Sequence, residues 1–158
     1  MLSGNTILDV QLGDVPVARK PRRDVLQHAA AFVFLRDRMV QDKQPLSSTL
    51  ICEAHRILMA DMQREDGLHV QAGSCRTAPA NAGWHQFPPA ACISRSMTWL
   101  VQTYNERAED MVQDPFVLAG WLPYEFVCIH PFEDGDGRCA ACCSTWPSWR
   151  MVCHSALR

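Results

Sequence analysis

The sequence predicts an all-α domain, organised as a small helical bundle. Apolar residues recur at the three- and four-residue spacing of a helix in four segments, and no segment alternates apolar and polar residues as a half-buried strand does. With 158 residues, 47% of them hydrophobic and 20% charged, the chain is long enough to bury one real core. No internal repeat, low-complexity tract or linker argues for a second domain.

The first half of the chain predicts two helices. Residues 24–39 are alanine-rich, and four of their apolar residues follow helical spacing: Val25, Ala29, Phe32 and Val33. Pro45 then breaks the chain, and Ser47 or Ser48 can cap a second helix. The apolar stripe of that helix consists of Leu50, Ala54, Ile57 and Leu58. Gly67 is expected to close the second helix.

The second half predicts a long loop followed by two more helices. Residues 68–88 are rich in glycine, proline and polar residues, which indicates a functional loop with room for a short hairpin. Residues 89–106 return to helical spacing. Asp114 and Pro115 form a cap and a first helical turn ahead of the apolar residues 116–129, which we expect at the centre of the bundle. Pro123 inside this helix would cost about 3 kcal/mol, so we expect a kink there or a later helix start.

Charge and cysteine usage restrict the partners and the compartment. A net charge of -2 predicts neither nucleic acid nor a membrane surface as the main partner. The chain has no apolar run long enough to span a membrane and starts without a signal-peptide pattern, so a cytoplasmic location is expected. Four scattered cysteines are interpreted as reduced thiols: Cys52, Cys75, Cys92 and Cys128.

The segment "HPFEDGDGR", residues 130–138, combines several groups that phosphoryl chemistry uses. His130 can take a proton near neutral pH, and Asp134 is a hard oxygen ligand suited to Mg²⁺. Gly135 and Gly137 let backbone N–H groups approach an anion, and Arg138 supplies a fork-shaped positive charge. A helix that starts near Arg138 would add its N-terminus as an anion site. The segment therefore predicts a phosphoryl- or nucleotidyl-transfer site.

The same segment resembles the signature of Fic (Fido) domain proteins, His-x-Phe-x-(Asp/Glu)-Gly-Asn-Gly-Arg-x-x-Arg. The resemblance extends to "LICEAHRILM", to "AGSCRTAPANAGWHQFPP" with its Gly-x-x-Arg stretch and flap, and to "PFVLAGWLPYEFVCIHPF". It covers nearly the whole chain up to Arg138. The expected fold is then a Fic-type helical bundle with a short β-hairpin flap, and residues 1–138 are expected to form the Fic-type domain.

The resemblance implies a protein adenylyltransferase, which moves AMP from Mg·ATP to a hydroxyl side chain (Ser, Thr or Tyr) of a target protein. His130 would deprotonate the hydroxyl, and Asp134 would hold Mg²⁺. The nucleotide-binding residues implied are Gly135, Asp136, Gly137 and Arg138. The flap would bind the target by strand addition, through Asn81, Ala82, Gly83, Trp84 and His85. The implied partners are ATP and a target protein, and a homodimer is left open.

Two positions depart from the Fic pattern. Asp136 replaces the usual asparagine and adds a negative charge beside a polyphosphate, which should weaken ATP binding. The second arginine of the motif should fall at position 141, where the sequence has Ala141. Because that arginine normally grips the γ-phosphate side, little or no activity is expected.

Residues 139–158, "CAACCSTWPSWRMVCHSALR", do not continue the amphipathic helix that the family requires. One set of codons for this stretch, read in a shifted frame, gives Arg-Arg-Leu-Leu-Leu-Asn-Leu-Ala-Leu-Met-Ala-Asp-Gly. That is an apolar helix closed by glycine, and restoring one base near codon 139 puts an arginine at position 141. We therefore interpret the tail as a frameshift product that should not pack.

Three alternatives stay open. Cys139 and Cys142, with Cys153 and His154, could form a zinc site. Asp134 and Asp136 could belong to a calcium loop, although no register supplies the glutamate expected at loop position 12. The chain could also be a catalytically inactive Fic remnant that at most binds nucleotide or a partner protein.

Overall fold

The computed structural model describes residues 19–63, 67–110 and 114–144. Over these ranges the chain forms five α-helices and one two-stranded antiparallel sheet, which confirms the all-α prediction and the short hairpin. The helices are α1 (Arg19–Arg36), α2 (Ser48–Leu58), α3 (Ile93–Glu109), α4 (Pro115–Ile129) and α5 (Asp136–Ser144). The strands are β1 (Asn81–Ala82) and β2 (His85–Gln86).

Helix α1 continues into a π-helical segment, Asp37–Gln41, so the first predicted helix is confirmed. Its buried face differs from the predicted stripe, because Ala31 and Leu35 are fully buried whereas Val25 is 63% exposed. The alanine-rich sequence offers apolar residues all round this helix, and helical spacing alone does not single out one face.

Helix α2 begins as predicted and ends earlier than predicted. Ser47 caps it, since the Ser47 side chain accepts a hydrogen bond from the Leu50 N–H at 3.1 Å. The helix ends at Leu58, well before Gly67, so the expectation that Gly67 closes it is wrong. The chain leaves the helix through Met59 and then turns at Asp61, which has a positive φ of 56°.

Helix α4 starts at Pro115, and Asp114 accepts a hydrogen bond from the Phe116 N–H at 2.8 Å, as the cap prediction requires. Pro123 lies inside the helix, so the alternative of a later start is wrong. Only one side of α4 is central to the bundle. Its buried residues are Leu118, Leu122, Phe126 and Ile129, whereas Phe116, Val117 and Tyr124 are more than half exposed.

The core lies where these helices meet. Helix α4 packs between α3 and α5, and α1 packs against α2 and α5. Asn105 on α3 fixes the start of α2, because its side chain exchanges two hydrogen bonds with the backbone of Leu46 at 3.0 and 2.9 Å. In the described part of the chain, no helix is both long and apolar enough to traverse a membrane.

Helix α5 contains the first residues of the predicted tail. Cys139, Cys142 and Cys143 are at most 1% exposed and join the core. The expectation that the tail does not pack is therefore wrong for Cys139, Ala140, Cys142 and Cys143, since cysteine behaves as a small apolar side chain. Residues 145–158 lie outside the described ranges. The domain boundary at 138 and the frameshift stay predictions.

Candidate active site

The predicted loop begins with a change of backbone direction at His130. His130 ends α4 in the left-handed conformation, with φ 51° and ψ 63°, and its N–H donates to the Phe126 carbonyl at 3.0 Å. A residue with a Cβ adopts this conformation only when its surroundings hold it there. The holding contacts come from a segment more than fifty residues earlier in the chain, around Arg76.

Arg76 donates hydrogen bonds to four backbone carbonyls around this loop. It is 4% exposed, and its guanidinium donates to the carbonyls of His130 (2.7 Å), Ala78 (2.9 Å) and Pro88 (2.7 Å). Its backbone N–H donates to the Pro131 carbonyl at 2.8 Å. Arg76 thus ties the end of α4 to both ends of the segment that carries the hairpin.

His55 on α2 fixes the other side of the loop. The Gly73 N–H donates to its Nδ1 at 2.8 Å, and its Nε2 lies 2.8 Å from the Asp134 carbonyl. Because Nδ1 must accept, the neutral ring carries its proton on Nε2 and donates it to Asp134. Burial lowers the pKa of His55, in keeping with a neutral ring. The ring also stacks on Phe132, with centroids 3.6 Å apart.

The His130 imidazole lies at the surface end of this framework. Its side chain is 25% exposed, and Phe87 stacks on it with centroids 4.0 Å apart and planes 13° from parallel. Burial lowers the pKa of His130, Arg76 lowers it further, and Asp134 opposes the shift. The ring is therefore neutral near pH 7, which is the form that a general base needs.

Asp136 is buried directly beside His130. It is 2% exposed, its Oδ1 accepts from the Phe132 N–H at 3.1 Å, and its Oδ2 faces His130 Nδ1 at 3.3 Å without an aligned hydrogen bond. Burial is the main cause that raises the pKa of Asp136 from 3.8 to about 7. Near neutral pH the Asp136 side chain is uncharged in about half of the molecules. The extra negative charge predicted for aspartate in place of asparagine at this position is therefore present only in part.

The two glycines of the loop differ in backbone conformation and in the space around them. Gly135 has φ +85°, and an added Cβ would lie 2.6 Å from Met59 Sδ and 3.2 Å from His55 Nε2. Gly137 is exposed in the first turn of α5, and an added Cβ would meet no atom within 4 Å. The fold itself therefore requires Gly135, whereas space is left open in front of Gly137.

Asp134 and Arg138 lie on the outer side of the loop. The Asp134 side chain is 54% exposed, and its Oδ1 accepts from the Gly135 N–H at 2.6 Å. Arg138 is 31% exposed, with Nη2 at 3.9 Å from Asp134 Oδ2 and 3.1 Å from Met59 Sδ. An accessible carboxylate beside the N-terminus of α5 fits Mg²⁺, which proteins usually hold through one or two carboxylates together with phosphate oxygens.

The predicted flap is a hairpin that reaches into solvent. Asn81 pairs with Gln86 and Ala82 with His85, and Gly83 turns the chain with φ +61°. Trp84 at the tip is 96% exposed. The base is anchored, because the Phe87 N–H donates to the Ala80 carbonyl at 3.1 Å and the Phe87 ring covers His130. The hairpin thus overhangs the imidazole.

The structure brings His130, Asp134 and Arg138 to one surface around the start of α5, with the flap base above His130. Position 141 lies on the exposed side of α5 and holds alanine. Of the proposed zinc ligands, Cys153 and His154 lie outside the described ranges. No group of three or more His, Cys, Asp or Glu side chains in the described part could hold a metal ion.

Sequence reasoning missed the parts played by His55, Arg76 and Phe87. The sequence alone predicted no role for His55. A signal was present, because Ile51, His55 and Leu58 follow helical spacing on one face, and all three are buried. Arg76 is the arginine of the Gly-x-x-Arg stretch, but the sequence alone predicted no contact for it. No local pattern marks its bonds to the carbonyls of Pro88 and His130, which lie 12 and 54 residues further along the chain.

Comparisons with known proteins agree with this architecture. The model of the Fic/DOC family matches residues 45–147. A Fido domain-containing protein of Dictyostelium discoideum is 39% identical over 72 residues, which are 46% of this chain and 50% of that protein. Protein adenylyltransferase fic-1 of Caenorhabditis briggsae is 28% identical over 124 residues, 77% of this chain and 23% of fic-1.

Among solved structures, a Fic domain-containing signaling protein of Bacteroides thetaiotaomicron superposes with a TM-score of 0.75 at 22% identity, covering 93% of this chain and 55% of that one. The chain belongs to the Fic/DOC family, since the family model spans more than half of it. It spans half or less of the length of the two curated relatives.

Proposed function

We propose that this chain is a protein adenylyltransferase of impaired activity, which moves AMP from Mg·ATP to a Ser, Thr or Tyr hydroxyl of a target protein. The observation that carries the proposal is the pre-formed loop, which combines a neutral His130 beside Asp136 with an accessible Asp134 and Arg138 at the open N-terminus of α5. Family membership and the likeness to the fic-1 adenylyltransferase support it.

In the proposed reaction His130 takes the proton of the target hydroxyl as the hydroxyl oxygen attacks the α-phosphorus. The bond to the β-phosphate breaks, and pyrophosphate leaves. Backbone N–H groups at the start of α5 and the Arg138 guanidinium would stabilise charge on the phosphates. Asp134 would hold Mg²⁺, which supplies positive charge against the phosphates when bound.

The hairpin would bind the target segment next to His130. Its exposed strands Asn81–Ala82 and His85–Gln86 offer backbone groups for strand addition, and Gly83 and Trp84 form the turn. Arg76 and Phe87 would keep the hairpin in register with the imidazole. The proposed compartment is the cytoplasm, where ATP and reduced thiols occur together.

The test is transfer of label from ATP labelled at the α-phosphate, with γ-labelled ATP as the control for kinase activity. We expect weak labelling of protein from the α position only, and none with His130→Ala. Ala141→Arg returns a cation to an exposed position of α5, so it should raise the transfer rate at least tenfold. Glu133→Gln is the matched control, because Glu133 is an exposed carboxylate in the same loop.

The second candidate is a catalytically inactive Fic remnant that binds nucleotide or a partner protein. Ala141 in place of the expected arginine and the acidic Asp136 favour it. Absence of α-label transfer with both the present chain and Ala141→Arg, together with ATP binding in calorimetry that Arg138→Ala removes, would establish this candidate and overturn the transferase.

A further inference from the structure

Cys52 and Cys75 come from different elements, and the segment that carries Cys75 packs against the helix that carries Cys52. Cys52 is in α2, and Cys75 is in the segment that leads to Arg76. Neither thiol is in a disulfide. Cys75 is exposed and Cys52 is half-buried, so reagents in solution reach the pair from the Cys75 side.

The backbone holds the two thiols in this arrangement. Gly73 passes so close to α2 that an added Cβ would lie 2.8 Å from the Cys52 carbonyl oxygen and 3.1 Å from Arg56 Cβ. The Gly73 N–H also donates to His55 on the same helix, and the Arg76 N–H donates to the Pro131 carbonyl. The backbone is therefore anchored on both sides of Cys75, next to the helix that carries Cys52.

The two thiols have different acidities. The pKa of Cys75 is lowered to about 7, mainly by hydrogen bonding with the Cys52 thiol; burial opposes this shift, and the Arg76 charge adds to it. The same hydrogen bond and burial raise the pKa of Cys52. One member of the pair is thus an accessible nucleophile and the other a nearby proton donor, the arrangement of an attacking and a resolving cysteine.

We propose that Cys52 and Cys75 form a reversible thiol–disulfide pair oxidised by hydroperoxides, whose disulfide joins α2 to the segment that carries Arg76. The Cys75 thiolate attacks a peroxide oxygen, so that an S–O bond forms, the O–O bond breaks and an alcohol or water leaves. The Cys52 sulfur then attacks the Cys75 sulfur, and water leaves with the Cys52 proton. In total two thiols are oxidised, and one hydroperoxide is reduced to one alcohol and one water.

The product would couple redox state to the candidate active site, because Arg76 is the next residue after Cys75 and carries the contacts to His130 and the flap base. The pair does not depend on the proposed AMP transfer, since its chemistry uses neither ATP nor His130. Either proposal can therefore fail without the other.

The test treats the full reduced chain with near-stoichiometric hydrogen peroxide, alkylates the remaining thiols and maps the peptides by mass spectrometry. We expect one dominant cross-linked pair of peptides, containing Cys52 and Cys75, that a dithiol reductant reverses. Cys92→Ser and Cys128→Ser are the matched controls, since both thiols are exposed and neither substitution should change the cross-link. Cys52→Ser should leave Cys75 as a sulfenic acid that dimedone traps.

Oxidation should also raise the Tm by several degrees, because the cross-link closes a long loop in the unfolded chain; Cys75→Ser should abolish this rise. The proposal is overturned if peroxide leaves Cys75 as open to alkylation as Cys92 and Cys128, or links other cysteines instead. A lowered Tm on cross-linking would also overturn it, because the thiols would then not stand in a geometry ready for closure.

Discussion

The loop of residues 130–138 and the hairpin beside it are fixed to different degrees. Loop contacts are buried and come from two separate segments: Arg76 lies in one, and His55 and Met59 lie at the C-terminal end of α2. The hairpin has only two-residue strands, all exposed, and is anchored mainly at its base. The part of the site that would do chemistry is therefore set before any ligand binds, whereas the part that would meet a target is left for the target to complete.

The strongest test of this difference is Arg76→Ala. It removes three hydrogen bonds from a buried guanidinium and leaves the carbonyls that it served, so we expect a loss of about 3–5 kcal/mol in the free energy of unfolding. Urea unfolding followed by tryptophan fluorescence measures it. Arg76→Lys keeps the charge but not the fork-shaped guanidinium, so its loss in the free energy of unfolding should lie between zero and that of Arg76→Ala. A loss in the free energy of unfolding below about 1 kcal/mol would mean that the loop does not depend on the Arg76 hydrogen bonds.

Asp136→Asn tests the buried carboxyl. The folded chain holds the proton up to about pH 7, whereas the unfolded chain releases it near pH 3.8, so stability falls as pH rises between these values. At pH 8 the asparagine variant should be more stable by on the order of 3 kcal/mol, and below pH 4 this advantage should vanish. Denaturant titrations from pH 4 to 8 measure the slope. Asp134→Asn is the control at an exposed position, and it should retain most of the dependence of stability on pH. Equal slopes of stability against pH in the parent and in Asp136→Asn would contradict the burial argument.

The two glycines form a matched pair. Gly135→Ala forces a Cβ against Met59 at a positive φ and should cost about 1–3 kcal/mol. Gly137→Ala meets open space in a helix, so the fold should be unchanged or more stable by up to about 1 kcal/mol. Calorimetry with ATP should nevertheless show weaker binding for Gly137→Ala, if phosphates approach there. Equal stability losses in both variants would remove the distinction between a fold requirement and a ligand requirement.

The smallest effect on stability is expected at the hairpin tip. Trp84→Ala removes a side chain that is 96% exposed, so the free energy of unfolding should change by less than about 0.5 kcal/mol. Phe87→Ala, which uncovers His130, should cost about 1–2 kcal/mol. Thermal unfolding of both variants compares tip and base. A large loss for Trp84→Ala would show that the tip is part of the fold.

Local patterns predicted most of the helices and the loop of residues 130–138. Ser47 and Asp114 cap helices where their sequence positions suggest, because capping depends on only the next few residues. The early end of α2 and the exposed face of α4 were not predicted. A glycine such as Gly67 marks a permitted helix end without requiring one, and the composition of a helix does not reveal which neighbours cover it.

The sequence by itself determined the motif residues, since their types and spacing are written along nine consecutive positions. The tertiary structure alone decided that His55 and Arg76 hold that loop, that the pKa of Asp136 rises to about 7, and that the segment of Cys75 packs against α2 at Cys52. Each of these outcomes depends on burial or on contact between segments distant in sequence. Desolvation and hydrogen bonding act through space, and a linear pattern does not record them.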